Sequence, residues 1–161
     1  MNGIGDDMKL NINKKLIEVD VRPDEFLLET LRKLGYLSVK EGCQSSSCGV
    51  CGVLLDEKII LSCTYLTVRA EGKAIATLEG VRERSKFLVD FLAEEGADQC
   101  GYCAPGLIMA VMSLENELVN PTEEEIYHYL DGNLCRCTGY KGQIRAIKKY
   151  LELRSTRSEV V

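Results

Sequence analysis

The chain has 161 residues, a formal net charge of −5, 45% apolar residues and 28% charged residues. The acidic balance and the absence of a long basic run exclude non-specific binding to nucleic acid or to an anionic membrane surface. No apolar stretch approaches the roughly 20 residues needed to cross a bilayer, and MNGIGDDMKLNINKK lacks a charged-then-apolar export signal, so a cytoplasmic location is expected.

Residues 1–7 are rich in Gly and Asp and are expected to fray. KLNIN at 9–13 and LIEVDV at 16–21 alternate apolar and polar residues, as two strands around a turn at Asn13, Lys14 and Lys15. DEFLLETLRKLG follows as a helix, with Asp24 as cap, Leu27, Leu28, Leu31 and Leu34 on one face, and Gly35 as terminator. GVLLD and KIILS read as a hairpin around Asp56 and Glu57, and KAIATLE at 73–79 as a further strand. After Gly80 the pattern turns helical. SKFLVDFLAEEG places Phe87, Leu88, Phe91 and Leu92 together. PGLIMAVMSLENEL does the same with Ile108, Val111, Leu114 and Leu118, and opens on Pro105. NPTEEEIYHYLDGN carries a capping box, Thr122 with Glu125. GQIRAIKKYLELR groups Ile144, Ile147, Tyr150 and Leu151. The expected fold class is α+β, a small strand-rich unit over 8–80 followed by a four-helix bundle over 84–155. Each half is small enough that its core is marginal without an inorganic centre.

Eight cysteines fall into two sets of four. The first, Cys43, Cys48, Cys51 and Cys63, has the C-x4-C-x2-C spacing with a fourth cysteine after eleven intervening residues. That is the plant-type [2Fe–2S] pattern rather than the paired CxxC of a zinc ribbon. Gly42, Gly49 and Gly52 would permit unusual backbone conformations, and Ser45, Ser46 and Ser47 are small enough to let amide N–H groups reach the sulfurs. The second set is Cys100 and Cys103 in QCGYCAPG with Cys135 and Cys137 in LCRCTGY. Here a four-thiolate zinc site and a thioredoxin-like CxxC compete with a second cluster, although the βαβ context of the redox motif is missing. A disulfide scaffold would require an oxidising compartment. The lone histidine, His128, rules out a Rieske centre, which needs two, and reads as a helix-surface residue. Arg136, between two cysteines, is expected to be solvated, to stabilise a reduced centre or to pair across a subunit interface.

GCQSSSCGVC, QCGYCAPG and GNLCRCTGY, in that order, resemble the iron–sulfur subunit of the molybdenum hydroxylases, over about Met8 to Leu153. The resemblance implies a plant-type ferredoxin-like (β-grasp) domain followed by a helical domain, each with one [2Fe–2S] cluster held by its four cysteines. It implies an electron-transfer subunit, itself without a catalytic site. Its partners would be a large subunit with molybdopterin, in the cytosine dinucleotide form, and a medium subunit with FAD. The assembly would be a hetero-oligomer, open to dimerisation. By the same resemblance Gln99 contacts the pterin and Cys137 is the cluster cysteine nearest it. Ala104, where many members have threonine, and the Ser45–Ser47 run depart from the family pattern without removing a cysteine. A free-standing ferredoxin-like carrier and a zinc interaction module are the rival readings.

Overall fold

The computed structural model describes residues 6–158. Strand β1 (Asp6–Ile12) pairs antiparallel with β2 (Lys15–Val21). Ile12 sits opposite Lys15, so the turn is only Asn13 and Lys14, both in the left-handed region at φ 52° and 65°. A two-residue turn of this kind follows the right-handed twist of the strands it joins. β3 (Gly52–Leu55) and β4 (Lys58–Leu61) repeat the device with Asp56 and Glu57. β5 (Ala74–Ala76) lies between the hairpins, parallel to β1 and antiparallel to β3, and joins them into one sheet of order β2-β1-β5-β3-β4. Fraying was expected over 1–7, yet Asp6 and Asp7 belong to β1; the rest of that expectation lies outside the described residues.

Helix α1 (Leu27–Lys33) is shorter than its periodicity suggests and opens at Phe26 without a side-chain cap. Asp24 does not cap it, because its carboxylate instead accepts from the Arg22 guanidinium at 2.9 Å. Leu27, Leu28 and Leu31 are buried beneath Leu10, Ile12, Val53 and Ile75, while Leu34 is partly exposed. Gly35, at φ 90°, ends the helix as expected.

Four helices follow: α2 (Lys86–Glu94), α3 (Ala104–Glu117), α4 (Glu123–Leu130) and α5 (Lys141–Ser158). The capping box is present. Thr122 Oγ1 accepts from the Glu125 amide at 3.3 Å, and the Glu125 carboxylate accepts from the Thr122 amide at 2.7 Å. Thr122→Ala should therefore cost about 1 kcal/mol in denaturant unfolding. Among the described residues no helix is long and apolar enough to cross a membrane.

The helices do not form a core of their own. One apolar face was expected on α3, but it is buried all round from Gly106 to Leu114. The cause is β3. Successive strand residues point to opposite faces, so Val53 and Leu55 enter the core under α1, whereas Leu54 enters the helical core with Leu88, Met109, Val111 and Ile147. A strand covered on both faces reads as an unbroken apolar run, and GVLL is one. At the sheet's outer edge the Ile59 N–H donates to Ser113 Oγ of α3 at 2.8 Å, which closes a site where another strand could pair.

The linker adds a polar clasp. Arg84 Nε donates to Glu115 Oε1 at 2.6 Å, Nη1 to Glu57 Oε2 at 2.6 Å, and Nη2 to the Met112 carbonyl at 2.8 Å and Asn116 Oδ1 at 3.1 Å. The second oxygen of buried Glu115 accepts from the Tyr150 hydroxyl on α5. One guanidinium thus joins the β3–β4 turn, α3 and, through Glu115, α5.

Candidate metal centres

The segment from Gly42 to Cys51 forms a loop that curls around its own thiols. Gln44 and Ser46 hold left-handed φ of 55° and 60°. Alternating such residues with ordinary ones turns successive N–H groups to one side, a concavity suited to negative charge. The Ser45 and Ser47 amides donate to Cys43 Sγ at 3.4 and 3.2 Å. With the Ser45 amide as the largest influence, they pull the exposed Cys43 thiol down to about 6. The unusual conformations expected at three glycines are found at Gly49 alone, with φ 73°. Gly42 is needed for space: a Cβ there would lie 2.8 Å from Cys48 Sγ and from a Val50 methyl. Gly52 is likewise crowded by Ile59 Cδ1, at 2.9 Å.

The β3–β4 hairpin delivers the other half of the first set. Gly52 pairs with Leu61, so Cys51 and Cys63 flank the open end of the hairpin and are both buried. Ser62 Oγ donates to the Cys51 carbonyl at 2.7 Å and fixes the short turn that carries Cys63. Burial pushes the Cys51 thiol up to about 11; a cation at this point would reverse that penalty.

The second set lies at the start of α3 and in the loop between α4 and α5. Cys100 and Cys137 approach to 3.6 Å, both exposed, and Cys103 and Cys135 form a deeper pair. Burial holds Cys103 up at about 11. Burial also raises Cys135, but the Thr138 hydroxyl, 3.2 Å from its sulfur, and the Thr138 and Cys137 amides outweigh it and bring it to about 7. The Cys135 amide donates to the Tyr140 hydroxyl at 2.9 Å. The Gln143 side-chain amide stands 3.8 Å from Cys103 Sγ. Thr138, Tyr140 and Gln143 were not singled out in the sequence. The signal at Gln143 was its place on the face of α5 shared with Ile147 and Tyr150, where an apolar residue is expected.

All eight cysteines are free thiols, and they associate in twos: Cys43 with Cys48, Cys51 with Cys63, Cys100 with Cys137, Cys103 with Cys135. Among the described residues no group of three or more His, Cys, Asp or Glu converges as one metal ion would require. A tetrahedral zinc needs four ligands around one point. A [2Fe–2S] rhomb needs two thiolates at each of two irons, and each set supplies two pairs. N–H and O–H donors directed at the sulfurs complete the chemistry that such a centre requires.

Gln99, next to Cys100, is exposed, as are Arg136 and His128; His128 faces Asp131 at 3.8 Å on the surface of α4. The two thiol sets are stitched together, a contact the sequence did not disclose. The Leu134 amide, next to Cys135, donates to the Cys48 carbonyl at 3.0 Å. The Tyr102 hydroxyl, between Cys100 and Cys103, donates to the Glu41 carbonyl. A Cβ on Gly106 would lie 2.3 Å from the Gly49 carbonyl oxygen, and one on Gly49 2.5 Å from that of Gly132.

Comparison with known proteins agrees with this geometry. Residues 10–79 match a family described as "2Fe-2S iron-sulfur cluster binding domain", and residues 77–148 one described as "[2Fe-2S] binding domain". The nicotinate dehydrogenase small FeS subunit of Eubacterium barkeri is 42% identical over 136 residues, 83% of this chain and 87% of that protein. The xanthine dehydrogenase iron-sulfur-binding subunit of Escherichia coli O157:H7 is 45% identical over 141 residues, with the same two shares covered. Among solved structures, a chain of quinoline 2-oxidoreductase from Pseudomonas putida 86 superimposes with a TM-score of 0.88 at 34% identity, covering 99% of this chain and all of that one.

Proposed function

From the premise that this chain belongs to the family of iron–sulfur subunits of the molybdenum hydroxylases, we propose that it is the electron relay of such an enzyme and holds one [2Fe–2S] cluster at each thiol set. Cys43, Cys48, Cys51 and Cys63 hold one cluster, in the ferredoxin-like unit over 8–80. Cys100, Cys103, Cys135 and Cys137 hold the other, within the four helices of 84–155. The observation that carries this reading is the pairwise grouping of the eight thiols. A cluster of this type, when bound, accepts and passes on one electron at a time. The chain's own part is to hold and tune. The Ser45 and Ser47 amides and the Thr138 hydroxyl direct donors at sulfur. Burial of Cys51 and Cys63 keeps water from the inner side of the first centre.

The catalytic chemistry belongs to partner subunits, a large one with molybdopterin as its cytosine dinucleotide form and a medium one with FAD, in a cytoplasmic hetero-oligomer. The face carrying Gln99, Cys100 and Cys137 suits the pterin side. It is exposed, and Tyr102, Leu134 and Tyr140 give it an apolar rim, each at least 37% exposed. Burial of such residues is a common basis for subunit docking.

The test is EPR of the dithionite-reduced protein with iron, sulfide and zinc measured on the same sample. Two distinct [2Fe–2S] signals and about four irons per chain are expected, and Cys48→Ser should remove one signal while keeping the other. Zinc with no EPR signal would overturn the reading.

A further inference from the structure

Donors reach the two thiol sets by different means. At the first set they are the main-chain amides of Ser45 and Ser47. At the second, side chains join the main-chain amides, the Thr138 hydroxyl toward Cys135 and the Gln143 amide toward Cys103. Gln143 has 4% of its surface exposed, in a helix whose neighbouring inward positions, Ile147 and Tyr150, are packed into the apolar core. A primary amide in such surroundings is unfavourable unless it is hydrogen-bonded. Its Nε2 lies 3.8 Å from Cys103 Sγ, at the deeper of the two thiol pairs, away from the exposed Cys100 and Cys137.

We infer that Gln143 is a tuning residue of the second cluster, donating an N–H to the Cys103 sulfur and raising the reduction potential of that centre alone. The inference rests on the reading of the second thiol set as a [2Fe–2S] site. Reduction adds an electron to the cluster and spreads negative charge over the sulfurs, so a donor to sulfur binds the reduced state more strongly than the oxidised one. The low-dielectric surroundings of Gln143 increase the difference. Because the donor is a side chain on α5, rather than the main chain of a cysteine loop, it can be exchanged without rebuilding the loop. The potential of the second centre is thus adjustable at one position that holds no iron.

The experiment is an EPR-monitored redox titration of the full chain with both clusters, comparing the wild type with Gln143→Met and Gln143→Leu. Methionine keeps the length of the side chain and lacks the N–H; leucine fills the same apolar space. In both variants the midpoint of the helical-domain cluster should move to more negative potential, while that of the ferredoxin-like cluster stays in place. An unmoved midpoint in both would overturn the inference, as would an equal shift of both clusters, which would report a general change of packing. Loss of the second cluster from both variants would also overturn it, since the amide would then be needed for assembly rather than tuning. Absence of the two signals from the wild type would instead defeat the functional reading, and that is decided before any variant is compared.

Discussion

Gly106→Ala is expected to destabilise the folded chain by about 2 kcal/mol, even though alanine is the better helix former. Two effects oppose each other. Replacing a helical glycine by alanine gains at most about 1 kcal/mol in propensity, and less in the first turn, where Gly106 stands. Against it stands a Cβ only 2.3 Å from the Gly49 carbonyl oxygen and 2.8 Å from Val50 Cα. Both obstacles are main chain, in the loop that holds Cys48 and Cys51, and neither can rotate away. Overpacking costs about 1–3 kcal/mol when side chains can adjust and more when they cannot, so the clash wins. Urea unfolding would measure it. Gly132→Ala is the control, since its Cβ would meet nothing within 4 Å. If Gly106→Ala proved as stable as the wild type, the close contact between the two cysteine loops would be wrong.

Arg84→Met is expected to cost about 3 kcal/mol. Glu115 has a side-chain exposure of 2%, and without Arg84 its nearest cation is Arg154 at 3.6 Å. A buried carboxylate that loses its partner costs about 3–5 kcal/mol, because its desolvation is no longer offset; Arg154 and the Tyr150 hydroxyl hold the loss to the lower end. The companion variant Arg84→Met/Glu115→Leu should recover much of the stability, because no charge is then left stranded. Equal losses in the single and double variants would show that the cost of Arg84→Met does not come from a stranded Glu115 carboxylate.

The elements set by local chemistry were legible in the sequence. Both hairpins were expected where they stand, although the first turn is one residue shorter than expected, and the capping box follows from Thr122 and Glu125. What was hidden depends on partners distant in sequence. Periodicity shows that α3 is apolar but not what covers it, so its all-round burial by sheet and helices went unread. Asp24 has the chemistry of a cap, yet Arg22 lies two residues away and takes its carboxylate. The left-handed backbone at Gln44 and Ser46 falls on residues that seldom adopt it. Nothing in the residue types announces it, because the amide contacts to Cys43 accompany it only in the folded loop. Gly106 looks like an ordinary glycine, and only the folded chain shows that it makes room for the main chain of Gly49, as Gly49 in turn does for that of Gly132.

The division of β3 between two cores has a consequence during synthesis. The sheet leaves the ribosome first, with Leu54, Ile59 and Ala76 on a face that belongs to the core of the later helices, α3 among them. At about 5–20 residues per second, the stretch from β5 to the end of α3 takes a few seconds to appear. Throughout that interval the nascent chain carries a bare apolar surface beside an edge strand whose Ile59 N–H has yet to meet Ser113. The strand-rich half therefore keeps an uncovered apolar face until its neighbour arrives.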